Sequence, residues 1–139
     1  MRETLFRGKR ANNNEWIEGG IIPLDTDSGY IFIAEPFLSA STLPVYDIIK
    51  YHTHLVLPET VGQYTGLTDK NGKKIFEGDI LEFSDRLVSV FWHAHLGCWD
   101  SNFLKFTNPE NGREDMTPCR WKYRAKVVGN IYDNPELQR

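Results

Sequence analysis

Along the chain, apolar and polar positions alternate in short runs, and turn-forming residues interrupt them about every ten positions. The runs "WIEGGIIPL", "YIFIAEPF" and "YHTHLVL" are rich in β-branched and aromatic residues. Each ends at a Gly, Pro, Asn or Asp cluster. That pattern predicts short antiparallel strands, because pleated half-buried surfaces favour these side chains and tight turns favour those breakers. Residues 38–50, "LSASTLPVYDIIK", depart from it. Pro44 at a first helical turn, with Ser41 or Thr42 before it, predicts one short helix near 43–50.

The second half repeats the strand pattern in "VGQYTGL", "KKIFEGDILEF", "LVSVFWHAH", "SNFLKF" and "CRWKYRAKVVGNIY". Residues 107–118, "TNPENGREDMTP", are too polar for a core strand and read as a long loop. The ending "DNPELQR" predicts a single helical turn, with Asn134 before Pro135. The expected architecture is mainly β. An antiparallel meander forms an N-terminal lobe over 1–60, and a small barrel-like lobe occupies 61–139.

The stretch "TGLTDKNGKKIFEGD", residues 65–79, concentrates acids, lysines and glycines. Asp69-Lys70-Asn71-Gly72 has the chemistry of a hairpin turn, pairing strands around 62–68 and 73–77. Glu77-Gly78-Asp79 then re-aims the chain before "ILEF". Glu77, Asp79 and Glu82 would be the carboxylates of a cation or acid–base site. Turn chemistry alone accounts for them and is the preferred reading.

Together, "VGQYTGLTDKNGKKIFEGDIL", the ending "VVGNIYDNPEL", and the opening "LFRGKR" followed by "EWIEGG" resemble the YopX family. The resemblance implies a mainly β, self-associating protein encoded by a phage or prophage of a Gram-positive host. It supplies no catalytic residues, and the histidines lie outside its motif.

Formal charge adds a restriction. The 139 residues carry 16 basic and 19 acidic groups, a net charge of −3. Residues 1–60 hold 5 basic and 8 acidic groups, leaving 11 of each for the remainder. No global basic field attracts nucleic acid, so any anion-binding patch is local and belongs in the second half. The best candidate is "RWKYRAK". Read as a strand, it sets Arg120, Lys122, Arg124 and Lys126 in a row for phosphate, with Trp121, Tyr123 and Ala125 turned to the core. The competing reading is a solvated face or a guarded edge strand.

All four histidines form H-x-H pairs, His52/His54 and His93/His95. On a strand, residues i and i+2 share a face, so each pair would present two imidazoles to a metal ion. Exposed positions on half-buried strands are the simpler reading. Cys98 and Cys119 are not in CxxC spacing and read as two free thiols of a reducing, cytoplasmic environment. The chain opens on charges instead of an apolar leader, and no apolar run approaches a membrane span. No nucleotide or nucleophile motif is present, which argues against an enzyme and calls for no cofactor.

Three functions are therefore expected, in order. The first is a non-enzymatic binding module that forms a homo-oligomer or engages a host or phage protein; Trp99, Phe103 and Phe106, with Trp16 and Tyr64, are preferred as core, and an exposed Trp99 would be the contact. The second is a nucleic-acid binder using the basic row. The third is a metal-dependent enzyme built on the histidine pairs.

Overall fold

The computed structural model describes residues 3–23, 30–35, 52–111 and 115–138. The helix expected near 43–50 lies outside these residues. The chain is mainly β, and every strand pairing among the described residues is antiparallel. It divides into two compact units, Met1–Gln63 and Tyr64–Arg139.

The first unit is a meander. Strands β1 (Phe6–Lys9), β2 (Trp16–Pro23), β3 (Ile31–Ala34) and β4 (Thr53–Val56) lie in the order β4-β3-β2-β1. The start of β5 (Gly62–Thr68) adds to β1 through Gln63 opposite Phe6 and Gly62 opposite Arg7. Leu5, Ile33 and Val56 are buried here. Thr60 is buried with them and satisfied twice. Its hydroxyl accepts the Lys9 N–H at 2.9 Å and donates to the Leu57 carbonyl at 2.6 Å. Trp16 stays half-buried beneath the Arg7 guanidinium, 4.7 Å from its ring centre.

In the second unit β5 pairs with β6 (Lys74–Phe76) as the expected hairpin. The Gly72 N–H donates to the Asp69 carbonyl at 3.0 Å, and the Asp69 N–H donates to Lys73 at 2.8 Å. A four-stranded sheet follows, in the order β10-β7-β8-β9. Its strands are β7 (Asp79–Glu82), β8 (Arg86–His93), β9 (Cys98–Phe106) and β10 (Lys126–Asn130). Ile75, Leu81, Phe83, Val88, Val90, Trp121, Ala125 and Val127 make its core, with Leu67, Trp99 and Met116 packed against it. β8 is buried on both faces over 87–90, which explains its near-continuous apolar run.

The corner at Gly78 is a backbone requirement. Gly78 has φ +88°, and Asp79 folds back so that its Oδ2 accepts the Phe76 N–H at 2.8 Å. A Cβ at Gly78 would lie 3.2 Å from the Tyr132 ring. Gly78→Ala is expected to lose about 1–2 kcal/mol, the left-handed penalty for an L residue. Urea titration of parent and variant measures it, and equal midpoints would refute the assignment.

Two expectations need correction. Residues 120–126 are not a strand. Pro118–Arg120 forms a 3-10 turn, Trp121–Arg124 forms one α-helical turn (α1), and only Lys126 onward is extended. Pro118 at the start of the 3-10 turn favours that geometry, since its φ is already helical. The histidine pair 93/95 does not share a strand face either. β8 ends at His93, and His95 lies in the turn 94–97.

Candidate functional site

The α1 turn changes which side chains the basic segment shows to solvent. Successive helical residues step by about 100°, so Trp121 and Ala125 stand roughly 40° apart, whereas Tyr123 points to the opposite side. Trp121 and Ala125 are accordingly fully buried, and Tyr123 is 66% exposed. A strand would have put Trp121 and Tyr123 together in the core. Arg120, Lys122 and Arg124 flank Tyr123 and are all exposed, as is Lys126 at the start of β10. The Lys122 ammonium lies 6.0 Å from the Tyr123 ring centre.

This turn is held firmly from below. The Trp121 indole N–H donates to the Met116 carbonyl at 2.9 Å. The Lys70 N–H donates to the Ala125 carbonyl at 2.9 Å, tying the β5–β6 hairpin to the end of α1. Asp69 completes the tie. Its buried carboxylate accepts N–H bonds from Asn71 (2.8 Å), Lys73 (2.9 Å) and, 58 residues away, Val127 (2.9 Å). Burial acts to raise the Asp69 pKa. The donors of Val127, Lys73 and Asn71, with the Lys73 charge, outweigh it and hold the carboxyl below its ordinary 3.8.

A cleft of about 300 Å³ opens beside α1, lined by Lys70, Glu82, Phe83, Ser84, Tyr123 and Arg124. Glu82 stands directly opposite Lys126 across the β7–β10 pair, so its charge faces a cation. Asp115 is a further acid near the turn. Its Oδ2 lies 3.6 Å from Arg120 Nε, and its Oδ1 accepts the Thr117 hydroxyl at 2.7 Å. The Thr117 bonds, hydroxyl first, hold the Asp115 carboxyl below its ordinary value.

A second surface runs along β9, which with β10 is an edge strand of the four-stranded sheet among the described residues; the 3-10 turn Pro135–Gln138 lies near part of it. Phe103 and Phe106 are 51% and 55% exposed, which corrects the preferred expectation that they pack into the core. Their rings pack at 4.8 Å, with the Arg86 guanidinium 5.8 and 5.1 Å from them. Arg86 is itself fixed by the buried Asp85 carboxylate, to which its Nη2 donates at 2.6 Å. At the other end, Trp92 meets Trp99 edge-on at 5.1 Å.

The histidine pairs occupy different units. His52 and His54 converge on one carboxylate that is remote in sequence: Glu35 Oε2 lies 3.4 Å from His52 Nδ1, and its Oε1 lies 3.4 Å from His54 Nε2. His93 Nδ1 accepts the Leu96 N–H at 3.2 Å, which commits it to the turn. Among the described residues, no group of three or more His, Cys, Asp or Glu side chains has metal-holding geometry. Cys98 and Cys119 are free, exposed thiols. No helix among the described residues is long and apolar enough to cross a membrane.

The fold and these surfaces define a small mainly-β protein whose distinctive surface groups are aromatics set among cations. The chain belongs to the YopX family, described as YopX protein, which matches residues 5–138. It is also similar in structure to protein EF1440 from Enterococcus faecalis, known from a crystal structure. The similarity covers 100% of both chains, at 25% sequence identity and a TM-score of 0.55. No curated protein matches the chain.

Proposed function

We propose that this protein is a non-enzymatic binding module of a phage or prophage that acts as a homo-oligomer, joined through the β9 edge. The observation that carries this reading is the exposed pair Phe103 and Phe106 on the edge strand β9, with the exposed Trp92 on the neighbouring β8. An open edge flanked by exposed large rings invites association, and aromatic and arginine side chains dominate interface energetics.

The second copy fits because the edge is self-complementary. Trp92 of β8 and the partly buried Trp99 of β9 stand at one end, and Phe103 and Phe106 of β9 at the other. An antiparallel copy lays the tryptophan end of one protomer on the phenylalanine end of the other, twice, by one two-fold axis. The same arrangement brings Asp100 of each copy toward Lys105 of the other. The phage or prophage setting follows the family resemblance.

Sedimentation velocity at micromolar concentration tests the proposal. The parent is expected to be a dimer. Phe103→Glu and Phe106→Glu are expected to weaken it by roughly thirtyfold or more, with unchanged circular dichroism. A monomeric parent would sink the proposal, as would a dimer indifferent to both substitutions. Co-sedimentation with a host protein and never with itself would also overturn it.

A further inference from the structure

We infer that the cleft beside α1 binds single-stranded nucleic acid, with Tyr123 as the stacking platform for a base and Lys70, Lys122 and Arg124 as partners for the flanking phosphates. This surface is separate from the β9 edge and needs no second copy.

Four observations carry the inference. The Tyr123 ring is 66% exposed and points directly away from the core that its neighbours Trp121 and Ala125 enter. The Lys122 ammonium lies over one face of the ring, so a planar partner would take the other, and base–aromatic stacking tolerates any sequence because every base has a π-face. Second, Lys70 and Arg124 line the cleft and Arg120, Lys122 and Lys126 stand beside it, five cations against three acids among the described residues, Asp69, Glu82 and Asp115, on a chain whose net charge is −3. The local surplus is therefore positive where the whole molecule is negative, which is what phosphate recruitment to one place requires.

Third, the cleft is concave, about 300 Å³, at the lower end of volumes that hold small ligands. It offers both kinds of group a nucleotide needs. Lys70 and Arg124 supply cations, and Glu82 and Ser84 supply acceptors for base amino groups. Fourth, the parts are pre-positioned. The Lys70 N–H on the Ala125 carbonyl and the Val127 N–H on Asp69 lock the hairpin cation to the turn that carries Tyr123. A site so fixed loses little freedom on binding.

The single strand is favoured over the duplex on geometric grounds. α1 has four residues, too short to read a major groove as a recognition helix does. Tyr123 can stack only on a base that has left its own stack.

Fluorescence anisotropy with labelled single-stranded DNA and RNA decides it, with duplex DNA and heparin as competitors. Retention of either single strand above the duplex is expected. The logarithm of affinity should fall against the logarithm of salt with a slope of about −2, as three cations on a single strand imply. Tyr123→Ala should weaken binding about tenfold or more, while Tyr123→Phe keeps it within about twofold. Arg124→Ala should flatten the salt slope by about 0.7. Tyr123 is exposed, so its variants fold, and unchanged circular dichroism and sedimentation verify this. No binding at low salt overturns the inference. So does equal affinity of parent and Tyr123→Ala, or heparin competition with no dependence on the ring, each of which reduces the surface to plain electrostatics.

Discussion

Replacing Trp121 with alanine should remove about 4 kcal/mol of folding stability. The side chain is fully buried among Ile75, Leu81, Phe83, Val88, Val90 and Val127, and its indole N–H is paired with the Met116 carbonyl. Deleting a buried aromatic loses both its transfer free energy and the contacts around the cavity left behind, usually about 3–5 kcal/mol. A small domain has about 5–15 kcal/mol in total, so much of the margin goes. Trp121→Phe separates the two contributions. It keeps most of the packing, leaves the Met116 carbonyl without its donor, and should cost about 1–2 kcal/mol. Urea unfolding followed by circular dichroism gives both values. A Trp121→Ala loss below about 1 kcal/mol would show that the turn is not anchored by this residue.

Asp69→Ala is expected to cost about 3 kcal/mol, the next largest effect. One carboxylate serves three backbone donors, and the Val127 N–H it satisfies belongs to a buried residue on β10. Leaving buried donors without an acceptor costs more than an ordinary hydrogen bond contributes. A pH signature distinguishes this from simple loss of packing. The Asp69 carboxyl is held below 3.8 in the folded chain, so its contribution is complete above that ordinary value and vanishes as pH falls through the lower folded value. Asp69→Asn, which replaces one acceptor oxygen with a donor, should therefore differ from the parent by a constant amount between pH 5 and 7. The gap should narrow as the pH drops below about 4. A gap independent of pH down to full protonation would refute the charged role of Asp69.

These two residues also show where reading the chain stops. Asp69 is legible in sequence as a turn former, and it does accept N–H bonds from Asn71 and Lys73 as a turn aspartate should. Its third bond, to Val127, joins the hairpin to the last strand of the sheet, and nothing local in "TDKNGKK" announces a partner 58 residues on. Glu35 is a similar case. Its two oxygens sit between His52 and His54 only because β3 and β4 pair side by side.

The aromatic edge was half legible. Phe103 and Phe106 were visible as large apolar residues, but apolar identity favours the core, and the structure exposes both. The sheet order left β9 at an edge, and a register shift opposite Leu87 and Val88 brought both rings out over Arg86.

The sequence by itself determined the strand-and-turn grammar of the chain, the hairpin at 62–76, the corner at Gly78 and the family. Each rests on near neighbours, on backbone freedom or on a contiguous motif. Only the tertiary structure decided what "RWKYRAK" presents. That segment satisfies a period of two as well as a period of 3.6. The choice fell to the core, which accepts Trp121 and Ala125 together on one helical face and so turns Tyr123 out among the cations.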